Sequence, residues 1–198
     1  HPRVRRQRQM CIRDRSYTFV IILSPVGSYY PEGVNPVKIW VEDEYVRAVK
    51  GGTGFTKCGG NYAASIAAQV KAESHGYTQV LWLDGVHRKY VEEVGTMNVM
   101  FLINDTVVTA ALEGSVLPGV TRDSIIHILK DMGYKVEERD LSIDELMEAG
   151  RTGQLKEAWG TAPDGQPTYQ TSAHTWKKEK KFQNCRWVPL FPDQVQYY

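Results

Sequence analysis

Residues 51–60 hold five glycines and one lysine, Lys57, and this stretch constrains the fold more than any other. Glycine lacks a Cβ, tolerates positive φ and lets the backbone approach a ligand closely. A plain turn does not need glycine at half of its positions. The stretch therefore favours a tight loop that presents a lysine, and a lysine held in place can be a Schiff-base nucleophile. From the residues alone, the alternative is a solvated lysine in a flexible loop.

The common phosphate-binding motifs do not fit this stretch. The P-loop has glycine directly before its lysine and serine or threonine directly after it, whereas Lys57 lies between Thr56 and Cys58. The dinucleotide pattern begins well at Gly52 and Gly54 but meets Lys57 where its third glycine belongs.

The composition is that of a globular domain. The chain has 198 residues, of which 42% are hydrophobic and 24% charged. It has no apolar run long enough to predict a membrane span. The three cysteines are far apart and form no C-x-x-C pair, so we expect neither a disulfide framework nor a metal site, and we expect a reducing, cytoplasmic location.

The net charge of +1 hides an uneven distribution. Residues 1–15 carry six arginines and one aspartate, the segment 163–198 is also basic, and the part between them is acidic. Basic ends can bind nucleic acid, but no nucleic-acid motif accompanies them, and we predict no such partner and no membrane. Residues 1–15 have no apolar period, and we predict that they are disordered.

The hydrophobic pattern alternates irregularly between strands and helices, which predicts an α/β or α+β fold and not a doubly wound sheet. A buried strand is expected at 17–23 and a capping box at Ser142. The other predicted strands are 37–41, 79–83, 89–94, 99–103, 106–109, 134–139 and a last one at 155–159, and the other predicted helices follow Asn61 and span 121–132.

Several short runs resemble one enzyme family, and they occur in the order and at the spacing of that family. They are Ser24–Tyr29, Lys57–Tyr62, Gln79–Asp84, Glu92–Asn98, Leu117–Arg122 and Val136–Arg139. Residues 16 to about 161 resemble the later part of the branched-chain amino-acid aminotransferases, pyridoxal-phosphate enzymes of fold type IV in the class IV aminotransferase family. The resemblance implies residues 16–162 as the large cofactor-binding domain, incomplete at both ends. The small N-terminal domain would then be missing, and 163–198 would be a divergent, disordered tail.

The resemblance also implies roles for single residues. Lys57 would form the Schiff base with pyridoxal phosphate, Glu93 would pair with the pyridine nitrogen, and Tyr62 would hydrogen-bond the phenolic oxygen. Glu92 and Glu93 are neighbours in a predicted strand, where alternation places them on opposite faces. We therefore expect only Glu93 to point inward.

Further residues follow from the same resemblance. The backbone N–H groups of Val120 and Thr121, at a predicted helix start, would hold the cofactor phosphate. Arg47 would lie near the cofactor, and Tyr29 and Thr96 would line the substrate side.

The implied reaction exchanges the amino group of leucine, isoleucine or valine with 2-oxoglutarate, giving a branched 2-oxo acid and glutamate. Partners would be these amino acids and 2-oxo acids, and the intact enzyme would be a homodimer. Two alternatives remain: another fold-type IV enzyme, such as a D-amino-acid aminotransferase or an aminodeoxychorismate lyase, or a truncated chain without activity.

Overall fold

The computed structural model describes residues 19–23, 25, 37–161, 167–168 and 181–182. The predictions for residues 1–15, for Tyr29 and for most of the tail after residue 162 lie outside this part of the chain. Those predictions stay predictions.

The described residues form a mixed sheet with three helices, and the predicted α/β class is confirmed. The strands are β1 (Ile39–Glu42), β2 (Gln79–Leu83), β3 (Val91–Val94), β4 (Met97–Ile103), β5 (Thr106–Thr109), β6 (Lys135–Glu138), β7 (Leu155–Thr161), β8 (Pro167–Thr168) and β9 (Lys181–Phe182). The helices are α1 (Gly59–Ser74), α2 (Val120–Asp131) and α3 (Ile143–Arg151). No helix in the described ranges is long and apolar enough to cross a membrane.

The sheet runs in the order β6-β5-β4-β3-β2-β1-β9 and forks at β4. One edge of β4 pairs with β7 along most of its length, while the other edge pairs first with β3 and then with β5. The pairs β1–β2 and β5–β6 are parallel, and the other pairs are antiparallel.

The helices cover opposite faces of the sheet. Leu146 and Ala149 of α3 belong to the largest apolar cluster, on one face. Ala68 and Ala72 of α1 pack with Trp82 on the other face, where Ile126 and Leu129 of α2 pack farther along. The candidate site lies on this second face, near the starts of α1 and α2.

Local signals located most elements within a few residues. Gly76 has φ +77° just after α1, and the Ser142 side chain accepts a hydrogen bond from the Glu145 N–H at the start of α3, as predicted. Strand β3 begins at Val91 and not at Lys89, because the N–H groups of Lys89 and Tyr90 donate to the Asp84 carboxylate instead of to a neighbouring strand.

Two strand predictions are wrong. Residues 19–23 form no strand, and their side chains are exposed. A β-branched run becomes a strand only beside a neighbour that supplies hydrogen bonds, and no described strand pairs with these residues. The strand β7 is also not the last, because β8 pairs with β7, and β9 pairs with β1. Each of these two strands has two residues, too few to show a period.

Candidate functional site

Two adjacent carboxyl groups, Glu92 and Glu93, are buried in the middle of β3. The prediction that only one of them points inward is wrong. The pairing of β3 with β2 shifts register here: Glu93 lies opposite Trp82 and Val91 lies opposite Leu83, so Glu92 has no opposite residue in β2. Such a bulge interrupts the alternation of side chains. Val91 and Val94 thus pack in the same apolar cluster, while both glutamates reach the polar contacts described below.

Glu93 is held by donors that converge on one oxygen. Its Oε1 accepts hydrogen bonds from Arg47 Nη2 at 2.7 Å and from the Leu117 N–H at 2.7 Å, with Asn98 Nδ2 at 3.5 Å. Oε2 of Glu93 accepts none within the described part of the chain. Burial raises the pKa of the Glu93 carboxyl, and the positive charge of Arg47 acts against that rise. Oε2 is therefore the atom of Glu93 that can accept from a ligand.

Arg47 links this carboxylate to the glycine-rich stretch. Its Nη2 also donates to the carbonyl oxygens of Gly54 and Ser115, each at 3.2 Å, and its side chain is 7% exposed. Gly54 lies so close to Ser115 that a Cβ would come within 2.2 Å of the Ser115 carbonyl oxygen. This contact explains one of the five glycines, since only a residue without a Cβ fits there.

Glu92 has a different surrounding. The Ser115 hydroxyl donates a short hydrogen bond to its Oε1, and its Oε2 is buried without a partner among the described residues. Burial raises the pKa of Glu92, while the bond from Ser115 and the charge of Arg47 lower it. Glu92 thus accepts a hydrogen bond from one hydroxyl, whereas Glu93 accepts hydrogen bonds from several N–H donors.

Asn61, at the start of α1, fixes the loop that carries Lys57. Its Nδ2 donates to the carbonyl oxygens of Thr53 and Thr56 at 2.8 and 2.9 Å, and its Oδ1 accepts from the Thr53 hydroxyl at 2.7 Å. Cys58, the residue before the helix, has a lowered pKa, first because of a hydrogen bond with the Thr53 side chain. Hydrogen bonds therefore hold this loop in one conformation, which disfavours the alternative of a solvated lysine in a flexible loop.

Several of these groups line one cleft. Lys57 is exposed and does not line it, but its Nζ lies 5.4 Å from the centre of the ring of Tyr62, which does. Thr96 is partly buried in the turn between β3 and β4, where Gly95 has φ +56° and a Cβ would collide with Gln79. The cleft is lined by Arg47, Thr56, Asn61, Tyr62, Ser65, Glu93, Gly95, Thr96 and Leu117.

The start of α2 adjoins the cleft through Leu117. Asn98 Nδ2 donates to the Leu117 carbonyl oxygen at 2.8 Å. Gly119 precedes the helix, and no side chain caps this end. The first N–H groups of a helix lack partners within it and attract anions. Val120 has an apolar side chain, so its backbone N–H is the group that can bind an anion. Val120 is exposed, and Thr121, which follows it, is partly buried.

The structure thus brings Arg47, Tyr62, Glu93 and Thr96 to one cleft, with Lys57 beside Tyr62 and the start of α2 following Leu117. Tyr29 lies outside the described residues. The sequence reasoning missed Asn61 and Asn98, although both stand inside the quoted motifs. It also missed Ser115, a single serine in a loop, for which the sequence offers no local signal.

Comparison with known families gives a match over most of the chain. The model of the amino-transferase class IV family matches residues 13–160. The chain is 58% identical over 148 residues to branched-chain-amino-acid aminotransferase 2 of Bacillus subtilis, covering 75% of this chain and 41% of that protein. It is 59% identical over 149 residues to a probable branched-chain-amino-acid aminotransferase of Staphylococcus aureus, covering 75% and 42%. The chain therefore spans less than half the length of these relatives.

Solved structures with a similar fold are also branched-chain aminotransferases. The enzyme from Thermoproteus uzoniensis with norvaline superposes with a TM-score of 0.61 at 26% identity, covering 73% of this chain and 46% of that one. A T.th. enzyme in complex with N-(5'-phosphopyridoxyl)-L-glutamate has a TM-score of 0.57 at 28% identity, covering 67% and 42%.

Proposed function

The chain belongs to the amino-transferase class IV family, and we propose that it is the cofactor-holding part of a branched-chain amino-acid aminotransferase. The whole enzyme would exchange the amino group of L-leucine, L-isoleucine or L-valine with 2-oxoglutarate. The named relatives, at 58% and 59% identity, support this choice over other fold-type IV reactions. The chain spans less than half of their length. We therefore propose the complete substrate pocket for the whole enzyme and not for this chain alone.

The observation that carries the proposal is the buried Glu93 carboxyl, which lines the cleft and has one oxygen engaged by N–H donors. Arg47 and the Leu117 N–H hold Oε1, so the side chain is fixed before a ligand arrives. A fixed carboxylate in a buried site is the partner that a protonated ring nitrogen requires.

The residues present fit pyridoxal phosphate in chemistry. Glu93 would hold the ring nitrogen, the uncapped start of α2 would hold the phosphate, and Lys57 would supply the amine. When bound, the cofactor acts as an electron sink for the amino acid's Cα. The enclosed part of the cleft is about 10 Å³, close to the least that holds one water molecule. Binding of the ring would therefore require side chains that line the cleft to move.

Lys57 has two tasks in this proposal. Its Nζ would hold the cofactor covalently in the resting enzyme, and the freed amine would take the proton from the substrate Cα and carry it until it is delivered to the product. Both tasks need an amine that reaches the same small volume repeatedly. The hydrogen bonds of Asn61 to Thr53 and Thr56 hold the loop, while the exposed Lys57 side chain keeps its freedom to move.

The remaining residues position the reactants. Tyr62 would donate its hydroxyl to the phenolic oxygen of the cofactor, and Thr96 would bind the substrate carboxylate from the β3–β4 turn. Tyr29 would line the substrate side. The contacts of Arg47 favour a role in fixing Glu93 over direct contact with the phosphate, since one of its nitrogens already serves three acceptors.

We also propose that the whole enzyme is a homodimer in the cytoplasm. The exposed apolar side chains of Ile66 and Val70 on α1, 60% and 57% exposed, suit a surface that another domain or subunit covers. The three widely spaced cysteines suit a reducing compartment.

A proton-exchange experiment tests the function without needing complete turnover. The chain is mixed with pyridoxal phosphate and with L-leucine deuterated at Cα, and loss of the deuterium to water is followed by NMR. We expect exchange in the wild type that Lys57→Ala abolishes and that D-leucine does not show. Exchange that survives Lys57→Ala would contradict the role of Lys57.

A further inference from the structure

The bulge in β3 places two buried carboxyl groups beside one guanidinium. Within the described part of the chain, the positive charge of Arg47 acts to lower the pKa of both Glu92 and Glu93, while the carboxylates of Asp84 and Asp140 act to raise the pKa of Glu92. One positive charge can balance one carboxylate. Two ionised carboxylates at one buried site repel each other, and one of them keeps its proton.

The donors around the pair decide which carboxyl keeps the proton. Arg47, Leu117 and Asn98 present N–H groups to Glu93, and an N–H can only donate. Among the described residues, Glu92 meets the Ser115 hydroxyl instead, which can donate or accept. A protonated Glu92 therefore keeps its hydrogen bond, as the donor to the Ser115 hydroxyl oxygen, whereas a protonated Glu93 would forfeit charge-assisted hydrogen bonds.

We propose that Glu92 carries the one proton of this pair, in its hydrogen bond with Ser115, and thereby keeps Glu93 as the single anion beside the cofactor. Glu92 is then a positioning residue that acts through Glu93 and touches neither cofactor nor substrate. The consequence for the reaction rests on the proposed function, because it assumes that Glu93 pairs with the ring nitrogen. The location of the proton does not rest on it.

The bulge in β3 allows Glu92 to reach Ser115 on the same side of the sheet as Glu93. In a regular strand, Glu92 would project to the face that α3 covers, among apolar side chains. With the bulge, Glu92 reaches Ser115, whose carbonyl oxygen accepts from the same Arg47 nitrogen that holds Glu93. Ser115 therefore contacts Glu92 through its hydroxyl and Arg47, the charged partner of Glu93, through its carbonyl oxygen.

A titration of the cofactor-free protein tests the proposal. The chain is labelled with isotope in the glutamate carboxyl carbons, and the chemical shifts are followed by NMR as the pH changes. We expect Glu92 to titrate above Glu93 and above the ordinary glutamate value of about 4.3. Glu93→Gln should shift the Glu92 midpoint downward, because Arg47 then has only one carboxylate to balance. Thr109→Val is the matched control: it removes a buried hydroxyl bond, to the Val99 carbonyl oxygen, away from the pair, and should move neither midpoint.

The proposal is overturned if Glu93 titrates higher than Glu92, or if Glu93→Gln leaves the Glu92 midpoint in place. Should a variant fail to fold, the two signals are assigned in the wild type through the backbone amides of Glu92 and Glu93, and their order decides. Pyridoxal phosphate is then added to a second sample. A wild type that does not respond to it contradicts the proposed function, while the order of the midpoints still decides where the proton resides.

Discussion

Arg47 Nη2 lies 2.7 Å from Glu93 Oε1, and the two side chains are 7% and 3% exposed. The residues are 46 positions apart, so this pair joins the segment before the glycine-rich loop to the middle of the sheet. A buried ion pair contributes little net stability, but removal of one partner is costly because the other charge stays buried. The pair therefore fixes the geometry of Glu93 and penalises its loss.

Arg47→Gln should destabilise the protein far more than an equivalent change at the surface. We expect a loss of about 3–5 kcal/mol in the free energy of unfolding, because Glu93 is left without its charged partner. Arg151→Gln is the control, since Arg151 and Glu148 form an exposed pair and should contribute less than about 1 kcal/mol. Denaturant unfolding measures both, and equal losses would contradict the account of Arg47.

Gly54→Ala should destabilise the loop that carries Lys57. The new Cβ would come within 2.2 Å of the Ser115 carbonyl oxygen and 2.5 Å of the Ala48 Cβ, which forces the backbone to shift. We expect a cost of about 1–3 kcal/mol. Gly59→Ala adds the same methyl at the start of α1, where nothing lies within 4 Å, and should be neutral. The comparison of their thermal unfolding is the measurement, and an unaffected Gly54→Ala would show that this contact is not tight.

The Asp84 carboxylate should make the free energy of unfolding depend on pH in the acidic range. Partial burial alone would raise the pKa of Asp84, but hydrogen bonds from the backbone N–H groups of Tyr90, His87, Lys89 and Val86 lower it to about 2. A lowered pKa means that the stabilisation is present above the ordinary value of about 3.9 and is lost as the pH falls toward 2.

Asp84→Asn should therefore cost about 1 kcal/mol at neutral pH, after allowance for solvent screening, and much less near pH 2. Asp105→Asn, at an exposed position of the β4–β5 turn, is the control. Unfolding free energies measured across this pH range give the answer. A penalty for Asp84→Asn that does not change with pH would contradict the role of the charge.

The pH dependence of stability at Glu92 should be opposite to that at Asp84, and Glu92→Gln tests it. Burial raises the pKa of Glu92, so the unfolded chain releases this proton at lower pH than the folded chain. The wild type then loses stability as the pH rises from about 4.3 to the folded midpoint. Glutamine does not titrate, and the variant should gain stability relative to the wild type over that window. Glu113→Gln, at an exposed pair with Lys50, should show no such trend, and a parallel pair of curves would refute the burial effect at Glu92.

The sequence predicted those parts of the fold that depend on local chemistry. Gly76 and Ser142 mark helix ends because a positive φ and a capping hydroxyl are local properties. The short-range pattern likewise located β2 and β5 at the predicted residues. The motifs of the family resemblance identified Lys57, Tyr62 and Glu93 as candidate site residues. Tyr62 and Glu93 line one cleft and Lys57 lies beside Tyr62, while their roles stay predictions.

What the sequence could not predict depends on pairing between distant segments. The bulge at Glu92 arises from the register between β3 and β2, which no period within β3 encodes. Ser115 belongs to the site only because a loop between β5 and α2 returns to Gly54 and Arg47. Likewise, the apolar run at 19–23 resembles a strand, but no described strand pairs with it.

A visible absorption spectrum of the chain with pyridoxal phosphate, recorded for the wild type, Lys57→Ala and Lys50→Ala, tests whether Lys57 binds the cofactor. Lys50 is the matched control, because it is an exposed lysine at the other end of the same loop, paired with Glu113. We expect a visible band that L-leucine bleaches, that Lys57→Ala removes and that Lys50→Ala retains. A folded wild type without the band, or a band that survives Lys57→Ala, would contradict the claim that Lys57 binds the cofactor.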